Sequence, residues 1–195
     1  AQIELGKLVT FGECAQRYIA STKHSWRNAK HAEQWSSTVN TYGASLLRLP
    51  VSQIDTALVL NSLQPIWYEK TETARRLRSR IERILDWASA SGFRSGDNPA
   101  RWKENLKHLL PPPDKLKKVE HRAAMPYRDL PQFMRNLKTR QDLSTLAMQL
   151  QILTATRPGE ATGAKWKEFD LSRCVWTVPA ERTKTNQSHE VPLSK

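Results

Sequence analysis

Three consecutive prolines, Pro111-Pro112-Pro113, constrain this chain more than any other feature. Each fixes its own φ, lacks an N–H and disfavours the helical region for the residue before it, so the run is stiff and extended. The residues after it change texture too, because Lys115, Lys117, Lys118 and Arg122 make the stretch basic. Residues 106–124 are therefore expected to form a basic linker, with 1–105 and 125–195 folding as separate domains. No internal repeat or low-complexity tract suggests another division.

The first piece reads as helices. Thr10 and Glu13 have capping-box spacing, and Phe11, Cys14, Ala15, Tyr18 and Ile19 recur at helical spacing over 11–22. Asn28 is the expected cap of a second helix running to about Leu47, with Ala32, Trp35, Val39, Tyr42 and Leu46 on one side and Pro50 as its stop. Residues 51–55 read as an extended connector ending in the cap Asp55. A short helix from Thr56 to Leu63 follows, and Pro65 opens another through Tyr68. Thr71 is the expected cap of a helix over 72–90, closed by Gly92 in the left-handed conformation.

At about 100° per residue, Leu77, Ile81, Ile84, Leu85 and Ala88 share the core face of that last helix. Arg76, Arg80, Arg83 and Trp87 fall on a separate stripe with Thr73 beside them. Glu82 and Asp86 lie elsewhere, so the stripe is expected to be positive and uncompensated. A guanidinium row flanked by a hydroxyl and an indole suits a phosphate backbone; it also suits plain solvation. Asn98-Pro99-Ala100-Arg101-Trp102 closes the piece as a turn and short helix.

In the second piece a helix is expected around Tyr127 to Lys138, with Pro131 in its first turn. Asp142 caps a helix to about Ala155 that is apolar almost all round, through Leu143, Leu146, Ala147, Leu150, Ile152 and Leu153, and so is expected at the centre of a core. It runs into Thr154-Ala155-Thr156-Arg157-Pro158-Gly159-Glu160, an arginine at a Pro-Gly corner where a short helix begins, with Trp166 expected to pack behind it. The planar fork of Arg157 beside free backbone N–H groups can hold two non-bridging phosphate oxygens, and Glu160 is placed to orient it. Read structurally, the same two residues are an ion pair locking a helix corner. Alternation of Val175, Trp176, Thr177 and Val178 predicts a strand over Cys174–Pro179. That strand pairs with His189–Leu193 in a two-stranded hairpin whose turn carries Lys184. An exposed turn lysine is ordinary; beside a phosphate-binding arginine it becomes a candidate.

Net charge is +12 with a sequence pI near 10.0, spread along the chain, which favours a polyanionic partner through counterion release. Cys14 and Cys174 are expected to be reduced core residues of a cytosolic protein. No run approaches the roughly 20 apolar residues of a membrane span. The N-terminus does not read as a signal peptide, so a soluble intracellular protein is expected, with no membrane partner.

The box at 154–160, followed by Lys165-Trp166 and Phe169-Asp170, resembles the first catalytic box of the tyrosine recombinases. Trp176-Thr177-Val178-Pro179, Arg182-Thr183-Lys184-Thr185 and Val191-Pro192-Leu193 resemble that family's hairpin. The details are most similar to phage and genomic-island integrases of the satellite-phage type. Upstream, Trp26-Arg27-Asn28-Ala29-Lys30-His31, residues 80–88 and Asn98 to Trp102 resemble its helical core-binding domain. The resemblance implies a mainly α fold. A helical SAM-like core-binding domain over 1–105 is followed by the basic linker and by the N-terminal part of an α+β catalytic domain with a β-hairpin over 125–195.

It also implies chemistry. A tyrosine attacks a phosphodiester, leaving a 3′-phosphotyrosine and a free 5′-hydroxyl, with no metal and no cofactor. Arg157 would neutralise the non-bridging oxygens, Lys184 would protonate the leaving 5′-oxygen, and Glu160 would support Arg157. DNA contacts are expected from Thr73, Arg76, Arg80, Arg83, Lys115, Lys117 and Lys118. The family's His-x-x-Arg box and nucleophile would lie beyond Lys195. None of Tyr18, Tyr42, Tyr68 or Tyr127 lies where the nucleophile belongs, each reading as helix packing, and His189 reads as structural. The chain is thus expected to be a fragment that binds the double-stranded DNA of an attachment-site core and cannot cleave it alone. The whole enzyme would act as a homotetramer on two duplexes, integrating or excising a mobile element in the cytoplasm of a bacterium. The alternative is a stand-alone DNA-binding regulator of the same architecture without cleavage activity. A basic helical adaptor for an acidic protein is a third reading.

Overall fold

Thr10 and Glu13 open the first helix by reciprocal bonds. The Glu13 N–H donates to Thr10 Oγ1 at 3.2 Å, and the Thr10 N–H donates to Glu13 Oε2 at 2.8 Å. The computed structural model describes residues 9–26, 29–116 and 122–194. In it that helix is α1, Phe11–Thr22, followed by α2 (Ala29–Tyr42), α3 (Thr56–Trp67), α4 (Thr71–Ala90) and the short α5 (Pro113–Leu116). α1, α2 and α3 all pack on α4. Ala74, Leu77, Ile81, Ile84, Leu85 and Ala88 of α4 are fully buried, meeting Phe11, Trp35, Val39, Leu63 and Trp67 in one core. Gly92, at φ +77°, closes α4: its N–H reaches the Ser89 carbonyl and the Phe93 N–H the Ala88 carbonyl, the paired bonds of a left-handed helix cap.

Several boundaries differ from the sequence expectation for local reasons. α2 stops at Tyr42 rather than near Leu47, because residues beyond Gly43 turn back onto α1. The Leu47 and Leu49 carbonyls accept from the Gly12 and Phe11 N–H groups, satisfying first-turn donors that a helix leaves open. Gly12 permits this approach, since a Cβ there would lie 2.9 Å from the Leu47 oxygen. Asn28 lies outside the described residues. Residues Val51–Gln53 form a 3-10 turn, not an extended connector. Asp55 does cap α3, accepting from the Leu58 N–H at 2.9 Å. The two short helices expected around Pro65 are one, because the buried face of Val59, Leu63, Ile66 and Trp67 continues across the proline. Thr71 is the first residue of α4, not its cap.

The expected linker also differs. Leu106 and Leu110 are buried in the first core, and Trp67 Nε1 donates to the Pro111 carbonyl at 3.0 Å. Residues 106–116 therefore belong to the first unit, and the division into two units falls between residues 120 and 121.

The second unit contains α6 (Leu130–Lys138), α7 (Leu143–Thr154), α8 (Pro158–Thr162) and strands β1 (Phe169–Asp170), β2 (Val175–Val178) and β3 (His189–Pro192). The sheet is antiparallel in the order β1-β2-β3, with Phe169 opposite Trp176 and Trp176 opposite Val191. β2 and β3 are the expected hairpin; β1 is an added strand. Asp170 makes it one, because its Oδ1 accepts from Ser172 Oγ at 2.6 Å and from the Arg173 N–H at 2.9 Å, closing the turn. That turn lays Phe169 on Trp176, with ring centroids 5.1 Å apart and planes 8° from parallel. Trp176, Val178 and Val191 form the buried centre, with Leu150 packed against them.

Two expectations about this unit fail. Asp142 caps α7 through the Thr145 N–H, yet Leu143, Leu146, Met148 and Leu153 of this helix are exposed among the described residues. Apolarity all round placed α7 at the centre of a core, whereas Leu150 is the leucine of this helix that packs against the sheet cluster. Trp166 is exposed rather than packed behind α8, touching Phe169 with its ring. Cys14 is buried; Cys174 is half-buried in a turn, at φ +54°, and both are free. No described helix is long and apolar enough to cross a membrane.

Candidate phosphate-binding site

α7 ends on Ala155 in the left-handed conformation, φ 53° and ψ 24°. Such a conformation costs an alanine about 1 kcal/mol, and it turns the chain sharply out of the helix. Thr156 is buried, its hydroxyl 2.9 Å from that of Thr154. Arg157 then takes the extended conformation that a following proline favours, and Pro158 begins α8. Glu160 grips the arginine twice: Oε2 accepts from the Arg157 N–H at 3.0 Å and Oε1 from Nη1 at 2.9 Å.

The Glu160 side chain is 4% exposed while that of Arg157 is 57% exposed, so the carboxylate is held inside and the guanidinium presented outward. The backbone N–H of Arg157, aided by its side chain and charge and by the charge of His189, lowers the Glu160 pKa despite burial. Any stability from this lock is therefore present above the ordinary glutamate range and is lost as pH falls through the lowered value. α8 has only five residues, so the donors available to an anion here are those of the guanidinium rather than of a long helix end.

The hairpin supplies the facing wall. After β2, a 3-10 turn over Ala180–Arg182 leads to buried Thr183, whose hydroxyl lies 3.0 Å from the Ala180 carbonyl and 2.8 Å from that of Gln187. Lys184 follows, exposed, and Asn186 at φ +61° brings the chain back to β3. A cleft of about 460 Å³ is lined by Ala155, Thr156, Arg157 and Glu160 on one side and by Thr183, Thr185, Gln187, Ser188 and His189 on the other. Arg157, Glu160 and the two neighbours of Lys184 thus meet at one cleft. Among the described residues no group of histidines, cysteines and carboxylates could hold a metal.

The arginine stripe of α4 is not what the helical wheel suggests. Arg80 is buried, donates to the Gln34 carbonyl at 2.6 Å and lies 5.3 Å over the Trp35 ring. Arg76 is exposed but paired with Glu72 at 2.9 Å, so the stripe is not uncompensated. Arg83 is exposed and Thr73 half-buried. The wheel failed because α4 is covered from more than one side, and α2 lies over the position Arg80 occupies. Lys115 is exposed on α5, while Lys117 and Lys118 lie outside the described residues. Tyr18 packs against Trp35 and Tyr42 lies under Lys70, but Tyr68 and Tyr127 are exposed rather than packed.

Residues 11–105 match the phage integrase central domain, and residues 124–195 match the phage integrase family. The chain belongs to the phage integrase family. It is 29% identical over 191 residues to the prophage integrase IntA of Escherichia coli, covering 96% of this chain and 44% of that protein. It is 26% identical over 220 residues to the integrase of Enterobacteria phage P4, covering 100% of this chain and 46% of that protein. The chain spans about half the length of the curated relatives it matches. Its fold is shared with a lambda integrase tetramer bound to a Holliday junction, at a TM-score of 0.75 and 18% identity, covering 97% of this chain and 52% of that one.

Sequence reasoning sets His189 aside as structural, yet in this member of the phage integrase family it is exposed on the cleft wall. A signal is available: His189 lies two residues before buried Val191, which puts it on the same face of β3. Arg182 reads in the sequence only as part of the hairpin motif, and in the structure it bonds directly to α8.

Proposed function

We propose that this chain is the DNA-binding unit and the arginine–lysine portion of the active site of a site-specific recombinase that integrates or excises a mobile element. One observation carries the reading: in a chain of the phage integrase family, the Arg157–Glu160 corner and the turn holding Lys184 line a single cleft. The substrate is a phosphodiester of duplex DNA. A tyrosine oxygen, supplied from outside residues 1–195, attacks the phosphorus as the bond to the 5′-oxygen breaks. The Arg157 fork neutralises the two non-bridging oxygens, Lys184 donates its proton to the leaving 5′-oxygen, and Glu160 keeps Arg157 in place. The bond energy is kept in the phosphotyrosine, so religation to a partner's strand needs no energy cofactor. By analogy with the lambda integrase tetramer on a Holliday junction, the assembled enzyme acts as a tetramer on two duplexes, in the bacterial cytoplasm where such DNA lies.

The first unit grips the duplex through exposed cations, among which Arg83, Arg76 and Lys115 are described. A gel-shift series over salt concentration tests this. Replacing Arg76, Arg83 and Lys115 with alanine is expected to weaken duplex binding and to reduce the salt slope by about one for each phosphate that is no longer neutralised. Arg80→Ala is expected to leave the slope unchanged and to lower stability by about 1–3 kcal/mol, because it removes a buried bond and the packing on Trp35. An unchanged slope in the triple variant removes these residues from the DNA interface.

A further inference from the structure

Arg182 joins the two walls of the cleft. Its Nη2 donates to the Glu160 carbonyl at 3.0 Å and lies 3.1 Å from Glu168 Oε2. Glu168 is itself fixed: its side chain is 6% exposed, and Oε2 accepts from Trp176 Nε1 at 3.1 Å and from the Lys165 N–H at 3.3 Å. Trp176 is fully buried at the centre of the sheet. The clamp is thus anchored in the second core. Gly163 leaves room for it, since a Cβ there would stand 2.8 Å from Arg182 Nη1.

On its own side, Arg182 belongs to a stiff turn. Its N–H donates to the Pro179 carbonyl at 3.0 Å, and the Thr183 N–H donates to the Ala180 carbonyl at 3.1 Å. Lys184 is the second residue after it. The Arg182 guanidinium therefore ties the turn that leads to Lys184 to α8, the helix that begins just after Arg157.

Stability alone does not account for this arginine. Its Nε and Nη1 are buried without a hydrogen-bond partner among the described residues. A buried cation with incomplete bonding carries a desolvation penalty, and an apolar side chain of similar volume is often as good or better for the fold. What Arg182 provides is a connection between two named walls.

We infer that Arg182, anchored by Glu168 and Trp176, is a positioning residue that sets the separation of Arg157 and Lys184 across the cleft. The inference rests on the phosphate-binding reading of that cleft.

The test is ¹H–¹⁵N NMR of the 195-residue chain titrated with inorganic phosphate, following the Arg157 side-chain N–H and the Lys184 amide. In the unaltered chain both signals shift with one midpoint. In Arg182→Ala the Arg157 signal still responds, while the Lys184 response requires at least about tenfold more phosphate or disappears. Arg182→Lys is expected to recover part of the Lys184 response, because one ammonium can meet the Glu160 carbonyl and the Glu168 carboxylate as the single Nη2 does. A shared midpoint retained in Arg182→Ala overturns the positioning role. If Arg182→Ala proves unfolded in a thermal melt, Gly163→Ala decides by the same criterion, since its methyl group displaces the guanidinium. If neither signal responds in the unaltered chain, the phosphate reading itself fails and the positioning role fails with it.

Discussion

Arg157→Ala is expected to slow formation of the covalent protein–DNA link by about a hundredfold to a thousandfold, the range seen when one preorganised donor to a developing oxyanion is removed. The measurement is denaturing gel electrophoresis of protein–DNA adducts, in a protein that carries this chain together with its tyrosine nucleophile. Duplex binding is expected to change little, because the cations assigned to it lie on the first unit. The corner should survive as well, since the Arg157 N–H still donates to Glu160 Oε2 after the side chain is removed. Arg157→Lys separates charge from geometry: an ammonium keeps the charge but cannot present two parallel donors, so it is expected to recover only a small part of the rate. Covalent attachment at the unaltered rate in Arg157→Ala would remove Arg157 from the reaction.

What is legible in the sequence follows from how local each signal is. The capping box at Thr10, the Asp55 and Asp142 caps, the left-handed Gly92 and the alternating strand at Val175–Val178 depend on residues within a few positions, and each appears in the structure. The arginine corner is of the same kind, because proline after Arg157 and glutamate three residues on define it in seven residues. Pro65 and the Pro111 run show the limit. A proline marks a missing donor, but whether the chain breaks there is decided by distant partners. The α3 face carries on through Pro65, and Trp67 bonds to the Pro111 carbonyl from 44 residues away.

Arg80 and Arg182 escape a sequence reading for one reason: their partners are far away along the chain. A helical wheel separates one face from another and says nothing of how many faces are covered. Arg80 meets a carbonyl 46 residues earlier, and so passes from a supposed DNA contact to a core arginine. Arg182 bonds to a carbonyl 22 residues earlier, on α8. Both are cations whose guanidinium is drawn inside the fold. Arg157, by contrast, spends one nitrogen on Glu160 and keeps more than half of its side chain exposed. That difference, more than residue type or net charge, separates an arginine available to a phosphate from one that is not.

Lys184→Ala is expected to reduce cleavage of an ordinary duplex by about a hundredfold to ten-thousandfold, the contribution of a positioned general acid. A leaving 5′-alkoxide is strongly basic, so its departure without a proton is slow; a leaving thiolate is far less basic and departs unaided. The deciding substrate therefore carries sulfur in place of the 5′-bridging oxygen at the scissile position. On it, Lys184→Ala is expected to cleave at a rate close to the unaltered protein, while Arg157→Ala stays slow, because the non-bridging oxygens still need their counter-charge. This crossed result assigns proton transfer to one wall of the cleft and charge neutralisation to the other. If sulfur rescues both variants equally, or neither, the division of labour between Arg157 and Lys184 is wrong. Rescue of Arg182→Ala by the same substrate would place its defect with the lysine wall, where a guanidinium tying Glu168 to the Glu160 carbonyl should exert its effect.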